Sequence, residues 1–164
     1  MTRKDLPFQP WGIKAIAEGR KLLTSRCSGL AAVNRNPDEW EYGGENVHGQ
    51  HIFYSKDDSK DGLLLRCPWV VGQVYPPANV LVTGIAAKRV QDMTEEEVEA
   101  EGIEWTDNGL GIYQWRGVGR GGHKWNDYAI DAFESIWDSI HRRDVNNRHH
   151  RNPWTWRLAI KATA

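Results

Sequence analysis

The run that most constrains this chain lies near its C-terminus. In Trp154-Thr-Trp-Arg-Leu-Ala-Ile-Lys161 the apolar residues Trp154, Trp156, Leu158 and Ile160 alternate with polar or smaller ones. A period of two sends those four side chains to one face, so the stretch predicts a β-strand packed on one side against a core. Two more stretches, Leu63 to Val71 and Ala78 to Arg89, read as strands; Val80, Val82 and Ile85 supply the β-branched residues of the second, and Pro76-Pro77 separates the two.

The remaining patterns are helical or turn-rich. Pro10 to Gly19 predicts a first helix, with Ile13, Ile16 and Ala17 as its apolar stripe and Gly19 at its left-handed end. Residues 20–26 then leave the helix as an extended segment. Thr94 with Glu97 three residues later is a capping box that opens a short acidic helix over 92–102, closed by Gly102. Ala129 to Arg143 carries Ile130, Phe133, Ile136, Trp137 and Ile140 on one helical face. Asn, Pro, Asp and Gly in 34–61 predict a surface insertion or loose hairpin, and six glycines in 107–122 predict a mobile loop inside a second insertion at about 106–126. The order predicts an α+β fold: a small β-barrel or curved sheet flanked by about three helices, forming one domain over 1–164.

With 164 residues the chain can bury one core unaided. No apolar run approaches the ~20 residues that cross a bilayer, and no apolar stretch follows the basic start at Met1. The expected setting is therefore cytoplasmic, without a membrane partner. Cys27 and Cys67 are 40 positions apart, neither a disulfide framework nor a metal-ligand spacing. His141, His149 and His150 sit among arginines that repel a cation, so no metal is expected and no organic cofactor is implied.

The net charge of -1 conceals a segregation. Residues 1–26 and 141–161 each carry six Lys or Arg, whereas 92–104 carries seven acids and no base. Basic ends that met in space would form a positive face for phosphates. Nine tryptophans exceed what one small core absorbs, which leaves some to stack on a base or sugar. The glycine-rich stretch adds Trp115, Arg116, Arg120, Lys124 and Trp125, a mixture of flexible backbone, cations and flat rings suited to single-stranded nucleic acid.

The cluster Gly19-Arg-Lys-Leu-Leu-Thr-Ser-Arg26 brings Lys21 and Thr24 to a helix-to-strand turn. A buried lysine can act as a base, and threonine as a nucleophile or oxyanion donor. Neither Ser25 nor Ser28 has the setting of a nucleophile elbow, and Cys27 is expected to be buried.

Taken with four later segments, this cluster resembles the ASCH family, a branch of the PUA-like fold with phage-encoded members. The other segments are Cys67-Pro-Trp69 with Gly72, the strand-to-helix run from Val80 to Ile103, Phe133-Glu-Ser-Ile-Trp-Asp-Ser-Ile140, and Asn152-Pro-Trp-Thr-Trp156. The resemblance implies a PUA-like β-barrel with a cleft for RNA or a modified base. Within the family, the N4-acetylcytidine amidohydrolases depend on a Lys, a Thr and a Glu. By that likeness Lys21 would be the base, Thr24 the nucleophile and Glu101 the residue that holds the base or shuttles a proton. The substrate-binding or nucleic-acid-binding set expected beside them is Arg20, Arg26, Trp69, Trp115, Arg116, Arg120 and Lys124. Where phage members follow Gly with Asp, this chain has Gly72-Gln-Val-Tyr-Pro-Pro77. Three functions stay open: amide hydrolysis on a modified pyrimidine nucleoside, non-catalytic RNA binding, and a phage accessory role in which the acidic helix contacts a host protein.

Overall fold

The computed structural model describes residues 4–107 and 109–163. Along the chain run α1 (Pro10–Ala17), β1 (Leu23–Arg26), α2 (Ala31–Asn34), β2 (Trp40–Glu45), β3 (His51–Ser55), β4 (Leu63–Leu65) and β5 (Val74–Tyr75). There follow β6 (Val80–Arg89), α3 (Glu95–Ala100), β7 (Trp105–Asp107), β8 (Tyr113–Gly119), β9 (Gly122–Asn126), α4 (Ala129–Ile140) and β10 (Trp154–Ala162). This is an α+β fold whose main sheet curls into a half-barrel.

The alternating C-terminal run becomes an inner strand. The main sheet has the order β1-β10-β6-β5 and is antiparallel throughout, so β10 is paired along both of its edges. Trp156 faces Arg26 in one ladder and Ala87 in the other. A register shift between Ala159 and Ile160 adds local twist to the pair with β6, the usual effect of a bulge.

One face of β10 builds the larger core. Trp156, Leu158 and Ile160 pack with Leu6, Leu30, Val33, Val80 and Val82. The sheet β2-β3-β4 covers them by inserting Phe53, which meets Trp154 edge-on at 5.3 Å between ring centroids. The indole N–H of Trp156 donates to the Ser28 carbonyl at 2.8 Å, so its polar edge is paired although the residue is fully buried. A second core lies beneath α3 and α4, where Val98 and Ile103 meet Ala129, Ala132, Phe133 and Trp137.

The expectation that β10 packs on one side only is corrected. Thr155 and Arg157, on its other face, are also buried. Arg157 is paired at 2.9 Å with Glu97 of α3, so a helix covers the face that was expected to be open. The Leu63 to Val71 strand shrinks to Leu63–Leu65, because its partner β3 begins at His51, opposite Leu65, and Pro68 could not extend the ladder. The stretch 34–61 is a hairpin, but not a surface insertion: His51 and Phe53 of β3 are buried in the larger core. The mobile loop expected over 107–122 is also corrected. Strands β7, β8 and β9 form a three-stranded sheet, and Gly121 and Gly122 take the positive φ its turn needs. That sheet is docked on α4, with the Val118 N–H donating to Ser135 Oγ at 2.9 Å. Glycine here permits a tight turn and a close approach rather than mobility.

Candidate functional site

The site begins where α1 ends. Gly19, at φ 73°, reverses the chain, and the Ala15 carbonyl accepts from the N–H groups of both Arg20 and Lys21, at 2.8 and 3.1 Å. The next residue is held on two sides. Leu22 N–H donates to the Ala100 carbonyl at the end of α3, and its own carbonyl accepts from Ile160 of β10. Lys21 is thereby directed inward under the end of α3.

There its ammonium donates to the Glu101 carbonyl at 2.6 Å and to Glu101 Oε2 at 3.0 Å. Helix α3 has no basic residue in its last turn, and Glu101 adds a negative charge where the helix already presents carbonyl oxygens. Lys21 supplies the missing cation from another part of the chain. Ser25 Oγ donates to the other carboxylate oxygen, Glu101 Oε1, at 2.7 Å. Lys21, Ser25 and Glu101 are each only 5% exposed.

Gly102 makes this approach possible. Its φ is +87°, and a Cβ there would lie 2.7 Å from Lys21 Cβ and 2.8 Å from Ala15 Cβ. Only a residue without a side chain lets the two helix ends close over Lys21.

The trio forms part of the wall of a cavity of about 410 Å³. Thr24, Arg26 and Trp69 line the same cavity, together with Phe8, Trp11, Trp137 and His141. Cations lie against the rings: the Lys21 ammonium is 5.8 Å from the Phe8 centroid and 5.6 Å from that of Trp11, and the Arg26 guanidinium is 5.2 Å from Phe8. Arg26 also donates to the Pro7 carbonyl at 2.6 Å, which ties the N-terminal segment across the cavity. Trp69 Nε1 donates to the Asp5 carbonyl at 3.3 Å.

Burial sets the protonation behaviour here. Desolvation pulls the Lys21 ammonium below the usual lysine range, while the charge and hydrogen bond of Glu101 oppose it. Desolvation likewise lowers His141, with Asp144 opposing and Arg26 reinforcing the shift. Its ring lies 4.4 Å from that of Trp137. The thiol of Cys27, which also lines the cavity, is pushed far up by burial and reaches the Trp154 carbonyl at 3.6 Å.

Of the residues expected from sequence, Lys21, Thr24, Glu101, Arg26 and Trp69 converge on this cavity. The others do not. Arg20 turns outward to Glu18 at 2.7 Å and shares a separate surface groove with Trp115. Arg116 pairs with Glu104 at 2.9 Å on the wall of another groove, while Arg120 and Lys124 are exposed on the β8–β9 hairpin. The basic ends do meet, as β1 beside β10, without forming one open positive face. Lys21, Arg26 and Arg157 turn instead to Glu101, the Pro7 carbonyl and Glu97.

Sequence reasoning leaves Phe8 out, sets Ser25 aside for want of a nucleophile elbow, and weighs His141 only as a metal ligand. No local signal marks Ser25, since a serine beside a threonine on a strand is unremarkable until the partner of each face is known. Among the described residues no group of three or more His, Cys, Asp or Glu could hold a metal ion, and no helix is long and apolar enough to cross a membrane. No protein-family model, curated protein or solved structure matches this chain.

Proposed function

We propose that the cavity binds a modified pyrimidine nucleoside, free or within RNA, and hydrolyses an amide on its exocyclic nitrogen. The observation that carries this reading is the buried Lys21–Glu101 pair, beside strand hydroxyls, in the wall of an aromatic cavity. Flat rings such as Phe8 and Trp11 suit a base, because stacking tolerates any planar heterocycle. The pair supplies what acyl transfer needs: a carboxylate able to relay a proton, and an ammonium able to stabilise negative charge on the acyl oxygen. We further propose membership of the ASCH branch of the PUA-like fold. Support comes from the ordered motifs, from the half-barrel sheet, and from the position of the 19–26 signature on the cavity.

The test is loss of N4-acetylcytidine absorbance with purified protein, beside Lys21→Ala, Thr24→Ala and Glu101→Gln. Turnover by the parent, reduced at least 100-fold by Lys21→Ala in a variant shown to be folded, supports the reading. Absence of turnover at high protein concentration eliminates this substrate.

A second reading, non-catalytic RNA binding, is favoured by one feature. A groove of about 650 Å³ adjoins the cavity through the shared residues Trp11 and Ile136 and carries Lys14, Arg116 and His123 on its walls. Binding of single-stranded RNA that weakens steeply with salt and with Arg116→Ala, without turnover, would select it.

A further inference from the structure

The resemblance points to Thr24, which lines the cavity as well, but the hydrogen bonding to Glu101 points to its neighbour. In the β1–β10 ladder Thr24 stands opposite Leu158 and Ser25 opposite Arg157. Directly opposed residues project to the same face of a sheet. Leu158 belongs to the larger core, whereas Arg157 reaches Glu97 of α3. Ser25 therefore faces α3, and there its hydroxyl meets Glu101 Oε1 at 2.7 Å while Lys21 holds Oε2 at 3.0 Å. One carboxylate thus bridges a hydroxyl and an ammonium, all three on the cavity wall. This is the constellation of an activated serine: a nucleophile hydrogen-bonded to its base, and the base oriented by a third group.

We infer that Ser25 is the acyl acceptor, with Glu101 as its base and Lys21 as the group that orients Glu101. The inference rests on the reading of the cavity as an amide-hydrolysing site. Ser25 Oγ attacks the acyl carbon and its proton passes to Glu101. The bond between the acyl carbon and the exocyclic nitrogen then breaks, and that nitrogen takes the proton from Glu101 as the free amine leaves. Water attacks the Ser25 ester and gives a proton to Glu101, and the carbon–Oγ bond breaks. The carboxylic acid departs and Ser25 Oγ recovers its proton from Glu101.

Two measurements separate this inference from the reading beneath it. The first is turnover of N4-acetylcytidine by the parent and by Ser25→Ala. The second is acid-quenched reaction with p-nitrophenyl acetate, an activated acetyl ester, followed by peptide mass mapping of the acetyl group. The expected result is a single acetyl on Ser25, absent from Ser25→Ala, with turnover reduced at least 1000-fold by Ser25→Ala. Ser25→Cys guards against slow accumulation, because a thioester on residue 25 is easily trapped. Acetyl on Ser25 without N4-acetylcytidine turnover keeps Ser25 as the acceptor and removes the proposed substrate. Turnover with acetyl on Thr24, or with no acetyl on residue 25 in either protein, overturns the inference and leaves the reading standing. Neither turnover nor acetylation overturns both.

Discussion

Replacing Lys21 by Met removes a cation that is 4% exposed on its side chain from a carboxylate that is 7% exposed. Two hydrogen bonds disappear, to Glu101 O and to Glu101 Oε2, and the carboxylate keeps only the Ser25 hydroxyl among the polar contacts described above. Breaking a buried pair in this way costs about 3–5 kcal/mol, because the surviving charge is left without its counter-ion. For a domain of this length each kcal/mol moves the melting temperature by roughly 2–4 °C, so a fall of about 6–20 °C is expected. Removing both charges is a different perturbation. Lys21→Met combined with Glu101→Leu fills similar volume without a stranded ion, and such replacements of buried pairs are often neutral or stabilising. The double variant should therefore lie well above Lys21→Met alone, with a coupling of about 2 kcal/mol or more in urea unfolding. A single-variant loss below about 1 kcal/mol would refute the argument, as would a double variant that is simply the sum of its parts.

Three other outcomes follow from the same geometry. Gly102→Ala should cost about 2 kcal/mol or more, from its left-handed backbone and the clash with Lys21 and Ala15, whereas Gly121→Ala, with φ +83° and nothing within 4 Å of the new Cβ, should cost clearly less. Equal losses in thermal unfolding would contradict the packing described at Gly102. For His141 the folded pKa lies below the ordinary value of 6.5, so the unfolded chain binds the proton first as pH falls. Stability should then decline from about pH 6.5 downward, and His141→Gln should soften that decline in melts at pH 7.5 and 5; an unchanged slope would count against it. Burial raises the Cys67 thiol to about 12, so at pH 8 its thiolate is scarce. Native protein should label slowly with a thiol reagent and quickly once unfolded, and fast labelling of Cys67 in the native state would show the burial argument to be mistaken.

The elements legible in the sequence were those whose signal is local. Trp154, Trp156, Leu158 and Ile160 declare a strand because pleating separates odd from even residues. Thr94 and Glu97 declare a helix start because their side chains satisfy each other's backbone N–H. Gly19 declares a helix end because it accepts a positive φ. Even the Lys21, Thr24 and Glu101 set was visible as residue types, together with Arg26 and Trp69. Partners distant in sequence were not visible. Nothing near Thr155 or Arg157 shows that α3 covers the second face of β10. Nothing near residues 107–122 shows that α4 offers Ser135 to a hairpin there.

The same division runs through the site. Sequence by itself determined that a basic turn precedes β1, that two hydroxyls follow it on neighbouring strand positions, and that an acidic helix ends at Glu101-Gly102. Only the tertiary structure decided which hydroxyl meets the carboxylate. Strand alternation sends Thr24 and Ser25 to opposite faces, and the choice depends on where α3 lies, some 80 residues away. Gly102 illustrates both halves. Its residue type is local information, but the reason for it is Lys21, brought beneath it by the folding of the whole chain.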